Sequence, residues 1–166
     1  MTIRKAFRAL PLLALFTAGA LAAPLNINFT SSLLSAGRGQ TVTFSASLFN
    51  TTASTIFLNS DAANITAPLS LDDTKFFLNF PLSIGAGLTI PATPIFDVFV
   101  PAGTPFGLYP GTFDILGGDS PNAFTTVGLA TFAVNVVPEP GTVALAGLAL
   151  VLLIAGKRAR RLCQIN

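Results

Sequence analysis

The chain of 166 residues contains no histidine and no tryptophan, and only one cysteine (Cys163), one tyrosine (Tyr109) and one methionine. Without histidine there is no Ser-His-Asp or Cys-His machinery and no zinc site of the usual His and Cys ligands. A lone cysteine excludes an intramolecular disulfide. Charge is scarce as well: 10% of the residues are Asp, Glu, Lys or Arg, against about 25% in an ordinary soluble domain. Hydrophobic residues reach 51%, too many for a disordered chain.

The few charges are unevenly placed. Arg4, Lys5 and Arg8 stand at the N-terminal end, and Lys157, Arg158, Arg160 and Arg161 at the C-terminal end. Between them lie only Arg38 and Lys75, set against Asp61, Asp72, Asp73, Asp97, Asp114, Asp119 and Glu139. The basic character therefore belongs to the termini and the middle is mildly acidic. Nucleic-acid binding needs clustered cations to neutralise phosphates, so that class is excluded.

Both ends read as addresses. Residues 1–22 have a basic start, an apolar run from Ala9 to Leu21, and small residues Ala20 and Ala22 flanking a cut after Ala22, the pattern of a secretory signal peptide. The expected partners there are the translocon and signal peptidase. At the other end, Pro138-Glu139-Pro140 precedes a nearly uncharged stretch, Thr142 to Gly156, followed by the basic tail from Lys157. The stretch is apolar on all sides, and as a helix it covers roughly 24 Å, slightly less than the ~30 Å hydrocarbon core. Flanking residues, local thinning and snorkelling cations can make up the difference. The positive-inside rule keeps Lys157, Arg158, Arg160 and Arg161 in the cytoplasm and leaves the body outside. Each proline of the triplet removes an N–H donor, and Pro140 steers Glu139 away from the helical region, which predicts an extended, accessible segment at 138–140.

The order of Pro-Glu-Pro, apolar helix and Arg-rich cluster over 138–161 resembles the PEP-CTERM sorting signal of exported bacterial proteins, which also carry N-terminal signal peptides. The resemblance implies recognition by exosortase, a membrane-embedded, Cys-dependent, transpeptidase-like enzyme thought to process its substrates near the Pro-Glu-Pro motif. It also implies an inner-membrane-anchored precursor destined for the cell surface or extracellular matrix of a biofilm-forming bacterium, with exopolysaccharide as a candidate partner. Pro138, Glu139 and Pro140 are then a site acted upon by another enzyme.

The body, 23–137, alternates with period two. Val42, Phe44, Ala46 and Leu48 alternate with Thr41, Thr43, Ser45 and Ser47. Phe96, Val98 and Val100 alternate in the same way, as do Tyr109, Phe113 and Ile115, and Phe132, Val134 and Val136. One apolar and one polar face is the signature of antiparallel sheet. With Leu25–Thr30, Thr55–Asn59 and Phe76–Phe80 also read as strands, about seven strands separated by turns predict an all-β, immunoglobulin-like antiparallel sandwich, flanked by the signal-peptide helix and the transmembrane helix. Tyr109 opens the sixth strand, where a tyrosine corner would hydrogen-bond back to the preceding loop; Gly111 occupies the usual cysteine position. An outer-membrane barrel would need eight longer strands and no apolar C-terminal helix.

Chemistry is thinly represented. Asp72 and Asp73 are adjacent and would face opposite ways in a strand, but in a loop they could join Asp61 around a calcium ion. Asp114 and Asp119 flank Gly117-Gly118, another candidate oxygen-lined loop; no spacing matches an EF-hand. Glycosidase chemistry needs two opposed carboxylates in a cleft, and the body has no glutamate. The sequence thus points to a non-enzymatic envelope or matrix protein with no cofactor. The alternative is a polysaccharide-binding or calcium-dependent adhesive module on the same scaffold, although the near absence of Trp and Tyr disfavours sugar stacking.

Overall fold

The computed structural model describes residues 23–138, together with Gly141, Leu145 and residues 147–149. Nine strands and one short helix follow one another: β1 (Leu25–Phe29), β2 (Leu33–Ala36), β3 (Thr41–Asn50), β4 (Ile56–Ile65), β5 (Ser70–Asp72), α1 (Thr74–Asn79), β6 (Ser83–Ile84), β7 (Thr89–Phe99), β8 (Gly107–Gly118) and β9 (Thr125–Val136). One sheet has the order β1-β3-β7-β5 and the other β2-β9-β8-β4-β6. With β1, β3, β7 and β5 as A, B, E and D, and β4, β8 and β9 as C, F and G, this is the immunoglobulin arrangement of two facing sheets. All pairings are antiparallel except β2 with β9, where the chain crosses from one sheet to the edge of the other.

The alternation seen in the sequence decides the inner faces. Phe44, Ala46 and Leu48 of β3, Phe96 and Val98 of β7, Phe113 and Ile115 of β8, and Phe132, Val134 and Val136 of β9 are all buried. Phenylalanine takes the place of an inter-sheet disulfide. The rings of Phe44, Phe96 and Phe132 lie 4.7–5.0 Å apart, and Phe113 stacks on Phe96 at 5.0 Å. Such pairs add about 0.5–1.5 kcal/mol each beyond their area burial. A Cβ built on Gly111 would come within 2.5 Å of the Phe132 ring and 2.6 Å of the Asn64 carbonyl, so that position has to be glycine. Tyr109 makes the expected corner, its hydroxyl donating to the Pro105 carbonyl at 2.9 Å.

The segment Phe76–Phe80 corrects the sequence reading: it is mostly helix, not strand. Asp72 Oδ1 accepts from the Thr74 amide (3.0 Å) and hydroxyl, turning the chain out of β5. One turn later Phe76 and Phe80, four residues apart, share the buried side, and Phe76 sits edge-on to Phe113. Pro81 then holds Phe80 extended (φ −107°, ψ 145°) and ends the helix. A strand would have sent Phe76 and Phe77 to opposite faces; in the helix Phe76 is buried and Phe77 is left exposed.

Residues 1–22 lie outside the described residues, as do most of 142–156. Gly141, Leu145 and residues 147–149 are helical and exposed, and among the described residues no helix is long and apolar enough to cross a membrane.

Candidate processing site and carboxylate pair

Strand β9 delivers the chain to the sorting segment without a spacer. Val136 is its last residue, buried beneath the sheet; the Val137 amide donates to the Ala36 carbonyl at 3.0 Å; and Pro138, which has no amide hydrogen, is exposed. The ladder therefore ends where the donors end. Glu139, Pro140, Lys157, Arg158, Arg160 and Arg161 lie outside the described residues, as do Ala20 and Ala22.

The exit is bracketed by two loops. On one side, β2 ends at Ala36, opposite Val136, and runs into Gly37 and Arg38. On the other, Gly107 of β8 pairs with Val136 and follows Phe106. The Arg38 guanidinium reaches across this end of the sandwich, its Nε donating to the Thr104 carbonyl at 2.6 Å and its Cζ lying 4.0 Å from the centre of the Phe106 ring. Nothing in the sequence announced this contact, because its partners stand 66 and 68 positions apart.

Of the three aspartates singled out for calcium, the fold brings two together. Asp61 pairs with Ile115 across β4 and β8, and Ile115 is fully buried, so the Asp61 side chain is directed between the sheets. There it meets Asp73 at the start of α1. Desolvation, followed by the neighbouring Asp73 charge and a side-chain hydrogen bond to it, pushes the Asp61 pKa up to about 7. Asp61 Oδ2 is buried with no hydrogen-bond partner among the described residues, which suits a protonated carboxyl better than a carboxylate. Asp72 is turned away on the outer face opposite Asp97, and its pKa is lowered by hydrogen bonds from the Thr74 side chain and amide. Among the described residues no three His, Cys, Asp or Glu side chains are grouped to hold a metal ion. Asp114 faces outward on β8, paired with Ala62 and Leu129, while Asp119 lies in the turn beyond.

Two further features escaped sequence reading. Asn50 stands in a stretch with the composition of a polar turn, yet it is fully buried. Its Nδ2 donates to the carbonyls of Ser54, Ile84 and Gly85 at 2.7–3.0 Å, and its Oδ1 accepts from the Thr52 amide and hydroxyl. It closes the end of the sandwich opposite the exit. The other is an open groove of about 570 Å³ on the outer face of β2, β9, β8 and β4, with Thr112 and Thr131 on its floor and Leu33, Asn64, Leu108 and Pro110 around them. The residues lining it carry no charge.

Among protein families, the PEP-CTERM protein-sorting motif matches residues 136–161, so the match begins at the last residue of β9. No curated protein matches the chain. Among solved structures, the portion of Escherichia coli α2-macroglobulin running from domain MG7 to the C-terminus is similar at 20% identity and a TM-score of 0.47. That similarity covers 72% of this chain but only 17% of the macroglobulin fragment. A CARDB domain from Pyrococcus furiosus, crystallised in complex with di-metal ions, is similar at 18% identity and a TM-score of 0.36, over 68% of this chain and 85% of that one. A cohesin–dockerin complex from Clostridium thermocellum gives 10% identity and a TM-score of 0.35, over 68% and 99%.

Proposed function

We infer, from a chain that carries a PEP-CTERM protein-sorting motif at residues 136–161, that the protein is an exported, non-enzymatic envelope or matrix component handed to exosortase by its C-terminal segment. The supporting observation is the junction: the motif starts where the last ladder bond of a complete sandwich is made, so a folded body and a processing segment adjoin directly. In this reading residues 1–22 are removed after Ala22 on export. Residues 142–156 hold the precursor in the inner membrane, and Lys157, Arg158, Arg160 and Arg161 keep the tail in the cytoplasm. Exosortase then acts at Pro138-Glu139-Pro140 and releases the body to the surface. Pro138 stands exposed at the very end of the sheet, where an enzyme can reach it without unravelling β9. The test is replacement of Pro138, Glu139 and Pro140 by alanine in an exosortase-bearing host, followed by fractionation. The precursor is expected to accumulate in the inner membrane; normal maturation of the variant would remove exosortase from the route to the surface.

A second reading, a polysaccharide-binding module, is favoured by the outer groove. Its Thr112 and Thr131 hydroxyls and Asn64 amide supply neutral donors and acceptors between the Leu33 and Leu108 side chains, with no charge to desolvate. Binding of neutral glycans that is lost in Thr112→Val with Thr131→Val would support it, and no binding to any neutral glycan would dismiss it. The calcium-dependent form of that reading gains nothing from the geometry, since Asp72 is turned to the face away from Asp61 and Asp73.

A further inference from the structure

The loops around the exit carry one cation and no carboxylate. Three connections reach this end: 37–40 between β2 and β3, 66–69 between β4 and β5, and 100–106 between β7 and β8. Arg38 is their only charged residue. Phe106, 50% exposed, lies against it. Leu108, two residues further on in β8, is 62% exposed, and Phe99 at the end of β7 is exposed as well. The carboxylates of the described body lie elsewhere: Asp61, Asp72, Asp73, Asp97 and Asp114 along the sheets or at α1, and Asp119 at the far end of β8. Glu139, within the sorting motif itself, is the one acid adjacent in sequence to the exit.

We propose that this end of the sandwich, built around the Arg38–Phe106 pair, rests in the headgroup region of the phospholipid bilayer while the precursor is anchored. The inference rests on the anchored reading above and adds an orientation and a contact to it. Four residues, Pro138 to Gly141, separate the last ladder bond from the apolar stretch; fully extended they span at most about 14 Å. The headgroup layer on each side of the hydrocarbon is itself about 5–8 Å thick. Beyond that layer the tether has at most about 6–9 Å to spare, so the exit end is the part of the body held nearest the lipid.

The surface presented suits that neighbour. The Phe106 ring and Leu108 side chain offer apolar area to the acyl boundary, while the Arg38 guanidinium, stacked on the ring, offers N–H donors to lipid phosphates. Among the described residues only its Nε finds a partner, the Thr104 carbonyl. The absence of carboxylates from the three loops removes the charge repulsion that an anionic surface would impose. Holding the body in this way keeps Pro138 at the depth where a membrane-embedded processing enzyme works.

The chain has no tryptophan, so a single introduced indole reports by itself. The full-length chain carrying Phe106→Trp is reconstituted into vesicles of phosphatidylcholine with a minority of phosphatidylglycerol, without exosortase, using lipids brominated in the upper acyl chain as quenchers. The control is Phe124→Trp, since Phe124 is exposed just before β9, at the opposite end. Emission from Trp at 106 is expected to be blue-shifted and quenched at least ~2-fold more than that from Trp at 124, and Arg38→Gln is expected to reduce the quenching. Equal, solvent-like emission at both positions in a chain that still sediments with the vesicles would overturn the lipid contact and leave the anchor standing. Quenching that appears only when exosortase is added would overturn it in favour of a protein contact. A chain that washes off the vesicles would overturn both.

Discussion

Asp61 to asparagine is the perturbation whose outcome depends most on the fold being right in detail. Asp61 is directed between the sheets beside Asp73, and its pKa is raised from 3.8 to about 7. A carboxyl whose folded-state pKa lies above its unfolded value holds its proton longer in the native protein. Its favourable contribution is complete below about pH 4, declines as the unfolded chain ionises while the native one does not, and is exhausted once pH passes about 7. Three units at 1.36 kcal/mol each set an upper bound of about 4 kcal/mol. Asp61 is only partly buried, so solvent screening brings the expected loss down to about 1–2 kcal/mol. Asparagine keeps the shape, can donate to Asp73 and cannot ionise. Urea denaturation of the full-length chain in mild detergent, followed by far-ultraviolet circular dichroism, measures the effect. Asp61→Asn should match the wild type near pH 4 and be more stable by about 1–2 kcal/mol at pH 8.5. Parallel pH profiles for the two proteins would show that Asp61 does not occupy the desolvated position beside Asp73.

Two other substitutions probe the ends and the centre of the sandwich. Asn50→Ala removes a fully buried side chain that satisfies three carbonyls and one amide, and should cost about 3–4 kcal/mol in the same denaturation assay; a loss below 1 kcal/mol would mean water replaces it freely. Gly111→Ala forces a methyl against Phe132 and the Asn64 carbonyl, and should cost about 2–3 kcal/mol, whereas alanine at the open Gly103 should cost less than 1 kcal/mol.

How much of the fold was legible in the sequence follows from how strongly each segment repeats. β3, β8 and β9 bury every second side chain over much of their length, and the period of two alone marks which residues point inward. Tyr109 was legible too, because its corner is a local contact of four residues. β4 was readable only in its first half: Asn59 to Asn64 are small or polar and have weak strand preference, and they pair because β8 runs alongside. β2, β5 and β6, of two to four residues, are too short for any period to show. Phe76–Phe80 misled because two neighbouring phenylalanines and a third three residues on fit both a strand and a helix turn. Asp61 and Asp73 could be grouped from the sequence as neighbouring acids, but which of Asp72 and Asp73 turns toward Asp61 is decided by the turn into α1. Arg38 with Phe106 joins residues 68 positions apart, and no local pattern encodes it.

If the C-terminal segment hands a finished sandwich to a processing enzyme, both cuts must show in the mass of the mature product. Intact-mass measurement of the protein recovered from the cell surface of an exosortase-bearing host, compared with the same host lacking exosortase, reads them together. The expected product begins at Ala23 and ends within or close to Pro138-Glu139-Pro140 in the first host; in the second, a membrane-bound form retains the apolar stretch and Lys157 to Arg161. Recovery of the uncut chain, with residues 1–22 and 142–166 both present, from the soluble fraction of either host would contradict this handover.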